Sequence, residues 1–201
     1  MTKLSDLQIL TNRLSDLEQH LSKPAFLRGE GLGNELGFFV FDFEPKFAPR
    51  VDQYLARLKV KLERDNHVRV LEINLFSLVL EILEARGYLE RAFALEAQQG
   101  SDALARAVGP LLDAKSLRDY VNAKITPSPD LVLITGVGAV WPLLRSHTVL
   151  NNLHDVVDKT PLVMFFPGEY DGHELRLFGE FKDDNYYRAF PLIPRQSGRA
   201  S

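Results

Sequence analysis

The sequence predicts an α/β fold: three layers, with a mostly parallel sheet flanked by helices. It is Rossmann-like or degenerate P-loop-like, with antiparallel strands near the C-terminus. Three observations carry this reading. Short apolar runs of β-formers recur along the chain: FFVFDF (38–43), VRVLEINLF (68–76), DLVLIT (130–135) and PLVMFF (161–166). Segments of helical period separate them. The runs are apolar on both sides, which suits strands covered on both faces, and helical crossovers make such strands parallel.

The elements follow in order. Leu4, Leu7, Leu10, Leu14, Leu17 and Leu21 recur at three- and four-residue steps and make one apolar helix face. That face either packs on its own domain or meets a partner helix, and Leu7 and Leu14 are then the contact candidates. KPAFLRGEGLGNELG (23–37) is a Gly-rich loop before the first strand. Pro45 suits the first turn of a helix that runs to about Arg64. Residues 77–100 and 101–125 are helical, with Ser101 as N-cap and Gly109–Pro110 as an interruption. Residues 148–158 form a short helix with Ser146 or Thr148 as cap, and Arg145 is expected to meet a carboxylate. LRLFG (175–179) and YYRAFPLI (186–193) are later strands, with DGHE (171–174) turning before the first of them. Residues 1–194 are read as a single domain with helix 1–22 packed on it, and 195–201 as a flexible tail.

Composition excludes several function classes. The chain has 201 residues, and a domain of that size buries roughly 70% of its unfolded surface. Its net charge of −3 argues against a strongly basic nucleic-acid binder. Without cysteine there is no disulfide, zinc–thiolate site or thiol nucleophile. The first residues lack the apolar core of a signal peptide, and no apolar window reaches membrane-spanning length. A cytoplasmic protein is the expectation.

The stretch TGVGAVWPLLRSHTVLNN (135–152) tests whether the fold carries a nucleotide site. Gly136 and Gly138 follow a strand, as the first glycines of G-x-G-x-x-G do. The third position is Trp141, with Pro142 behind it, where close helix packing requires glycine. No G-x-x-x-x-G-K-[ST] string occurs, and GEGLGNELG precedes its strand. Gly136 and Gly138 remain weak cofactor candidates, and no cofactor is expected.

Other polar clusters give no catalytic set. Ser146 and His147 are adjacent in sequence, which is not a nucleophile–base pairing, and no G-x-S-x-G elbow exists. His147 and His154 lie seven apart without zinc-helix spacing, so no metal site is expected. Glu169 and Asp171, in PGEYDG, suit a turn with solvated charges, or a metal or acid–base site. KDDNYYR (182–188) reads as a solvated turn entering a strand, or as a polar and aromatic partner surface.

Taken together, GNELGFFVFDFEPK (33–46), LITGVGAVWPLLRSHTVLNNLH (133–154), FFPGEYDG (165–172) and DDNYYRAF (183–190) resemble the BrxB family of BREX bacteriophage-exclusion systems. The resemblance spans nearly the whole chain, in the same order, while 77–125 is generic. It implies a role in antiviral defence, alongside host DNA methylation. The implied partners are a PglZ-type protein of the alkaline-phosphatase superfamily, a BrxC-type ATPase and a PglX-type methyltransferase; any DNA contact would be indirect. It supplies no catalytic residues. The recurrent positions are Gly136, Gly138, Arg145, Ser146, His147, Asn151, Asn152, Pro167, Gly168, Glu169, Asn185 and Tyr186.

The expectation is a non-catalytic adaptor. Its partner-binding candidates are Arg145, His147, Asn151, Glu169, Tyr170, Asp184, Asn185, Tyr186, Tyr187, Leu7 and Leu14. One alternative is a degenerate nucleotide sensor at Gly136 and Gly138. Another is a metal-dependent hydrolase using Asp42, Glu44, Glu169 or Asp184, since Asp42 and Glu44 end the first strand where α/β active sites lie.

Overall fold

A computed structural model describes residues 4–30, 37–153, 160–183 and 189–195, apart from the side chains of His147 and Asp183. The parallel sheet is built from β1 (Phe38–Phe43), β2 (Val70–Asn74), β3 (Leu131–Thr135), β4 (Leu162–Tyr170) and β7 (Phe190–Pro191). They lie in the order β2-β3-β4-β1-β7. β1 and β4 pair in parallel from Phe38↔Leu162 to Phe43↔Pro167. Every residue of β1 and β3 is buried, which is why both read as unbroken apolar runs.

Each face of the sheet has its own core. On one face Phe39, Phe41, Phe43, Leu133 and Phe165 meet α1 (Asp6–Leu21) and α3 (Ala48–Asp65). α3 contributes Val51, Leu55, Leu58 and Leu62 at helical spacing. On the other face Val40, Ile134 and Met164 meet α4 (Leu75–Ala85), α7 (Ala114–Lys124) and α9 (Ser146–Leu153). Between them in the chain come α5 (Leu89–Gln99), α6 (Ser101–Val108) and the short α8 (Val137–Val140). These two cores are the expected three layers.

α1 starts at a capping box in which Ser5 and Gln8 satisfy each other's backbone N–H groups. Its Leu10, Leu14, Leu17 and Leu21 are buried against the domain. The face that suggested a partner helix is therefore occupied: Leu14 is withdrawn as a partner contact, and Leu7 is only half-buried at its margin.

Several boundaries differ from the sequence reading, each for a local reason. Asn74 ends β2 and also caps α4, its Oδ1 accepting from the amides of Phe76 and Ser77. Strand thus passes into helix without a loop, and Leu75 and Phe76 are helical. The segment 77–100 breaks at Gly87, whose φ is +70°. Gly100, not Ser101, takes the cap position of α6, and the Ser101 hydroxyl instead donates to Glu96 at 3.0 Å. Pro45 opens a 3-10 turn that precedes α3.

The C-terminal strands divide. β5 (Leu175–Leu177) and β6 (Phe181–Asp183) form the expected antiparallel extension of β4, so part of KDDN is strand rather than turn. β7, by contrast, pairs in parallel with β1 on the opposite side of the sheet. Among the described residues, Phe190 and Pro191 join the ladder; Pro191 has no N–H to extend it, which suits an edge.

Candidate functional site

All five strands of the parallel sheet end on one edge, and the segments leaving them build a cleft there. β3 ends at Thr135 and turns at Gly136, in the left-handed region at φ +72°, into α8. The chain then passes Trp141 to Arg145 and enters α9. β4 continues outward into the β5–β6 hairpin. Between these two segments lies a half-open cleft of about 240 Å3, with Trp141, Arg145 and Ser146 on one side and Glu180, Phe181 and Lys182 on the other. Phe166, Leu175 and Leu177 form its buried floor.

The cleft wall is aromatic. The Trp141 and Phe181 rings stack with centroids 4.2 Å apart, and Phe178 meets Phe181 edge-on at 6.4 Å. Phe178 and Phe181 are 37% and 41% exposed, so the cluster faces outward at the hairpin. Phe76, at the start of α4, is a further exposed aromatic where β2 leaves the same edge. Glu174 braces the hairpin by accepting from Arg176 and Lys182, and these bonds hold its carboxyl below the usual range.

The Gly-x-Gly stretch serves packing. A Cβ on Gly136 would stand 2.7 Å from Asn74 Oδ1, the cap of α4. One on Gly138 would stand 2.9 Å from both Phe178 and Pro167. The glycines let β3, α4 and the hairpin close together, and the space a phosphate would need at either Cα is filled by side chains. Gly168 is tighter still: a Cβ there would stand 2.1 Å from the Arg176 carbonyl.

Among the described residues, the acids expected for a hydrolase, Asp42, Glu44 and Glu169, are not brought together. Glu44 lies 2.6 Å from Lys46 Nζ. Glu169 is exposed on β4, opposite Arg176. Asp171 Oδ1 accepts from the His173 and Glu174 amides, so its carboxyl sits low and holds the turn expected in PGEYDG. Among the described residues, no three His, Asp or Glu side chains are grouped to hold a metal ion.

Asp42 is enclosed by two arginines. It is 6% exposed, and Arg13 of α1 is 7% exposed. Arg13 Nη2 donates to Asp42 Oδ1 at 2.8 Å, Nη1 to the Asp42 main-chain carbonyl at 2.7 Å, and Nε to the Ile193 carbonyl at 2.9 Å. The guanidinium lies over the Phe41 ring at 4.5 Å. On the other side Arg195 Nε is 2.8 Å from Asp42 Oδ2, without the alignment of a hydrogen bond, and Nη2 donates to the Gly168 carbonyl at 2.5 Å. Burial pushes the Arg13 pKa down, and Asp42 opposes that shift.

This cluster has a backbone logic. Carbonyls two residues apart on a strand point to the same edge. Leu192 N donates to the Val40 carbonyl, and the C-terminal segment then leaves β1. The next carbonyl on that edge belongs to Asp42, and Arg13 satisfies it. Arg13 therefore completes the edge that the short β7 leaves open. Arg195, which the sequence reading put in the tail, is fixed in the same cluster.

The remaining expected residues fall as follows. Tyr170 is buried and donates to the Ala189 carbonyl at 2.7 Å, so it is withdrawn as a partner contact. Asn152 Nδ2 donates to Thr148 O at 2.7 Å, and Asn151 is exposed on α9. Ser146 is the first residue of α9, and Arg145 is exposed with no carboxylate beside it among the described residues, against expectation. The side chain of His147, and His154, Asp184, Asn185, Tyr186 and Tyr187, lie outside the described residues. Sequence reading missed Arg13, Phe178 and Phe181. A charge on the leucine face of α1 was the one signal for Arg13; nothing marked the two phenylalanines, whose exposure depends on the hairpin.

A family model described as "BREX protein BrxB" matches residues 71–192. The chain is 44% identical over 190 residues to a BREX protein BrxB of Bacillus cereus (strain H3081.97), covering 92% of this chain and 98% of that protein. It is 35% identical over 187 residues to a BREX protein BrxB of Escherichia coli O9:H4 (strain HS), covering 92% of each. No solved structure gives a significant match. No helix among the described residues is long and apolar enough to cross a membrane.

Proposed function

Because the chain belongs to the BrxB family of BREX phage-defence proteins, we propose that it works there as a non-catalytic adaptor. It binds the PglZ-type protein, the BrxC-type ATPase, or both, and so supports host DNA methylation and phage exclusion. The observation that carries this reading is the outward-facing aromatic cluster of Trp141, Phe178 and Phe181 at the sheet's C-terminal edge. Exposed aromatics beside an arginine are the composition of protein-binding hot spots. The acids at that end of the sheet favour the adaptor over a hydrolase, because cations at 2.6–2.8 Å engage Glu44 and Asp42. Crowding at Gly136 and Gly138 disfavours a nucleotide site on those two glycines.

The test is co-purification of the tagged chain at native expression, with its defence genes present. The wild type should recover the PglZ-type protein or the ATPase. The double variant Phe178→Ser, Phe181→Ser should lose them while keeping a cooperative melt, at a lowered temperature because both rings are more than half buried. Recovery of the partners in equal yield by the folded double variant would remove the cluster as the contact. Recovery of no defence protein by the wild type would remove the adaptor reading itself.

A further inference from the structure

The C-terminal segment 189–195 joins the docking hairpin to β1 and α1. Both of its ends are tied to the outer part of β4: Tyr170 Oη donates to the Ala189 carbonyl at 2.7 Å, and Arg195 Nη2 donates to the Gly168 carbonyl. Gly168 and Tyr170 pair with Leu177 and Leu175 of β5. Phe178 comes next in the chain, and its amide donates to the Pro167 carbonyl at 2.9 Å. The middle of the segment is tied to β1 and α1. Leu192 N donates to the Val40 carbonyl at 2.7 Å, and Arg13 Nε donates to the Ile193 carbonyl at 2.9 Å. The Asp42 carboxylate lies between Arg13 and Arg195, 2.8 Å from each.

Main-chain pairing contributes little to this attachment. Among the described residues the ladder on β1 comprises Phe190 and Pro191, and Pro191 and Pro194 have no N–H to donate. Ile193 is β-branched yet has φ +53°, in the left-handed region where such a residue is strained. A segment held by a few side-chain bonds, against backbone strain, opens at a lower free energy than central strands do. We propose that residues 189–195 are a strap that sets the position of the β5–β6 hairpin and so, given the adaptor reading on which this step rests, governs docking at Phe178 and Phe181. With the strap closed, Gly168 and Tyr170 are gripped between β5 and the segment, and the hairpin holds Phe181 against Trp141. With it open, the outer end of β4 loses both anchors and the aromatic face loses its fixed arrangement. Tyr170 and Arg195 are positioning residues for a contact made by other side chains. Partner binding, which needs the closed strap, in turn holds it closed.

Trp141 is the single tryptophan and stacks on Phe181, so its emission reports the hairpin without any partner. In the full-length protein, Tyr170→Phe removes the hydroxyl that reaches Ala189, and Arg195→Gln removes the charge beside Asp42. Each should shift Trp141 emission to longer wavelength at temperatures where the protein is fully folded. Val121→Ala, a cavity in the core at α7, should lower the melting temperature without that shift. Native-state hydrogen exchange should show the Leu192 amide at least about tenfold less protected than the amides of β3, and each strap variant should speed its exchange about fivefold further, the worth of one hydrogen bond. Co-purification of either variant should recover less of the PglZ-type protein or the ATPase than wild type does. Unchanged emission and unchanged Leu192 exchange in both folded variants would overturn the strap, and so would Leu192 protection equal to that of β3. A changed emission with full partner recovery would overturn its control of docking. A wild type that recovers no defence protein removes the adaptor reading alone, while emission and exchange still decide whether the strap positions the hairpin.

Discussion

Replacing Asp42 by asparagine should destabilise the fold by about 3 kcal/mol. The carboxylate side chain is 9% exposed and stands 2.8 Å from Arg13, whose side chain is 8% exposed. Removing one partner of such a buried pair costs about 3–5 kcal/mol, because the other charge stays in the interior unpaired. Arg13 keeps two bonds that do not need the carboxylate, to the main-chain carbonyls of Ile193 and Asp42, which places the loss at the low end of that range. Arg195→Gln should cost only about 1 kcal/mol: its side chain is 31% exposed and its Nε is not aligned on Asp42. Urea unfolding at neutral pH measures both, and the slope with urea should match wild type if only native stability changes. The reasoning fails if Asp42→Asn unfolds within about 1 kcal/mol of wild type, or if Arg195→Gln is as costly. A variant as stable as wild type but inactive in phage defence would return Asp42 to the list of acids with a chemical role.

Two further outcomes follow from the same packing. Gly168→Ala should prevent native pairing of β4 with β5, since its Cβ would stand 2.1 Å from the main-chain carbonyl of Arg176, which no rotamer moves; Gly136→Ala displaces only the Asn74 side chain and should cost about 2 kcal/mol through the lost cap and the positive φ. Circular-dichroism melts rank the two, and equal effects would contradict the crowding argument. Stability should also fall as the solution is acidified, in two stages. Burial lowers the pKa of His20, so below about 6.5 the unfolded chain takes up that proton first and stability begins to drop. Hydrogen bonds from Lys61 and from Arg69 lower Glu18 and Asp130, so their contribution is present above the unfolded carboxylate value of about 4 and is lost as pH falls through the depressed folded values. Urea midpoints against pH show this directly, and a stability maximum near pH 4 would refute the assignment.

The sequence by itself determined the layers. Unbroken apolar runs such as FFVFDF and DLVLIT fix strands buried on both sides, and the leucine spacing of α1 and the matching period in α3 fix which faces meet the sheet. These are local patterns, and burial follows from them whatever the neighbour. The ordered motifs also carried the family, because a family is a property of sequence. Tertiary structure alone decided what the polar residues do. Asp42 looks like a strand-end acid until Arg13, 29 positions away in sequence, is laid over its edge. Gly136 and Gly138 look like a phosphate turn until Asn74 and Phe178 fill the space above them. Phe178 and Phe181 are ordinary β-formers until a hairpin turns them outward beside Trp141. An apolar side chain has one favourable destination, the core, so its pattern can be read in one dimension. A charge, a glycine or an exposed ring takes its role from whichever distant group the fold sets within a few ångströms of it.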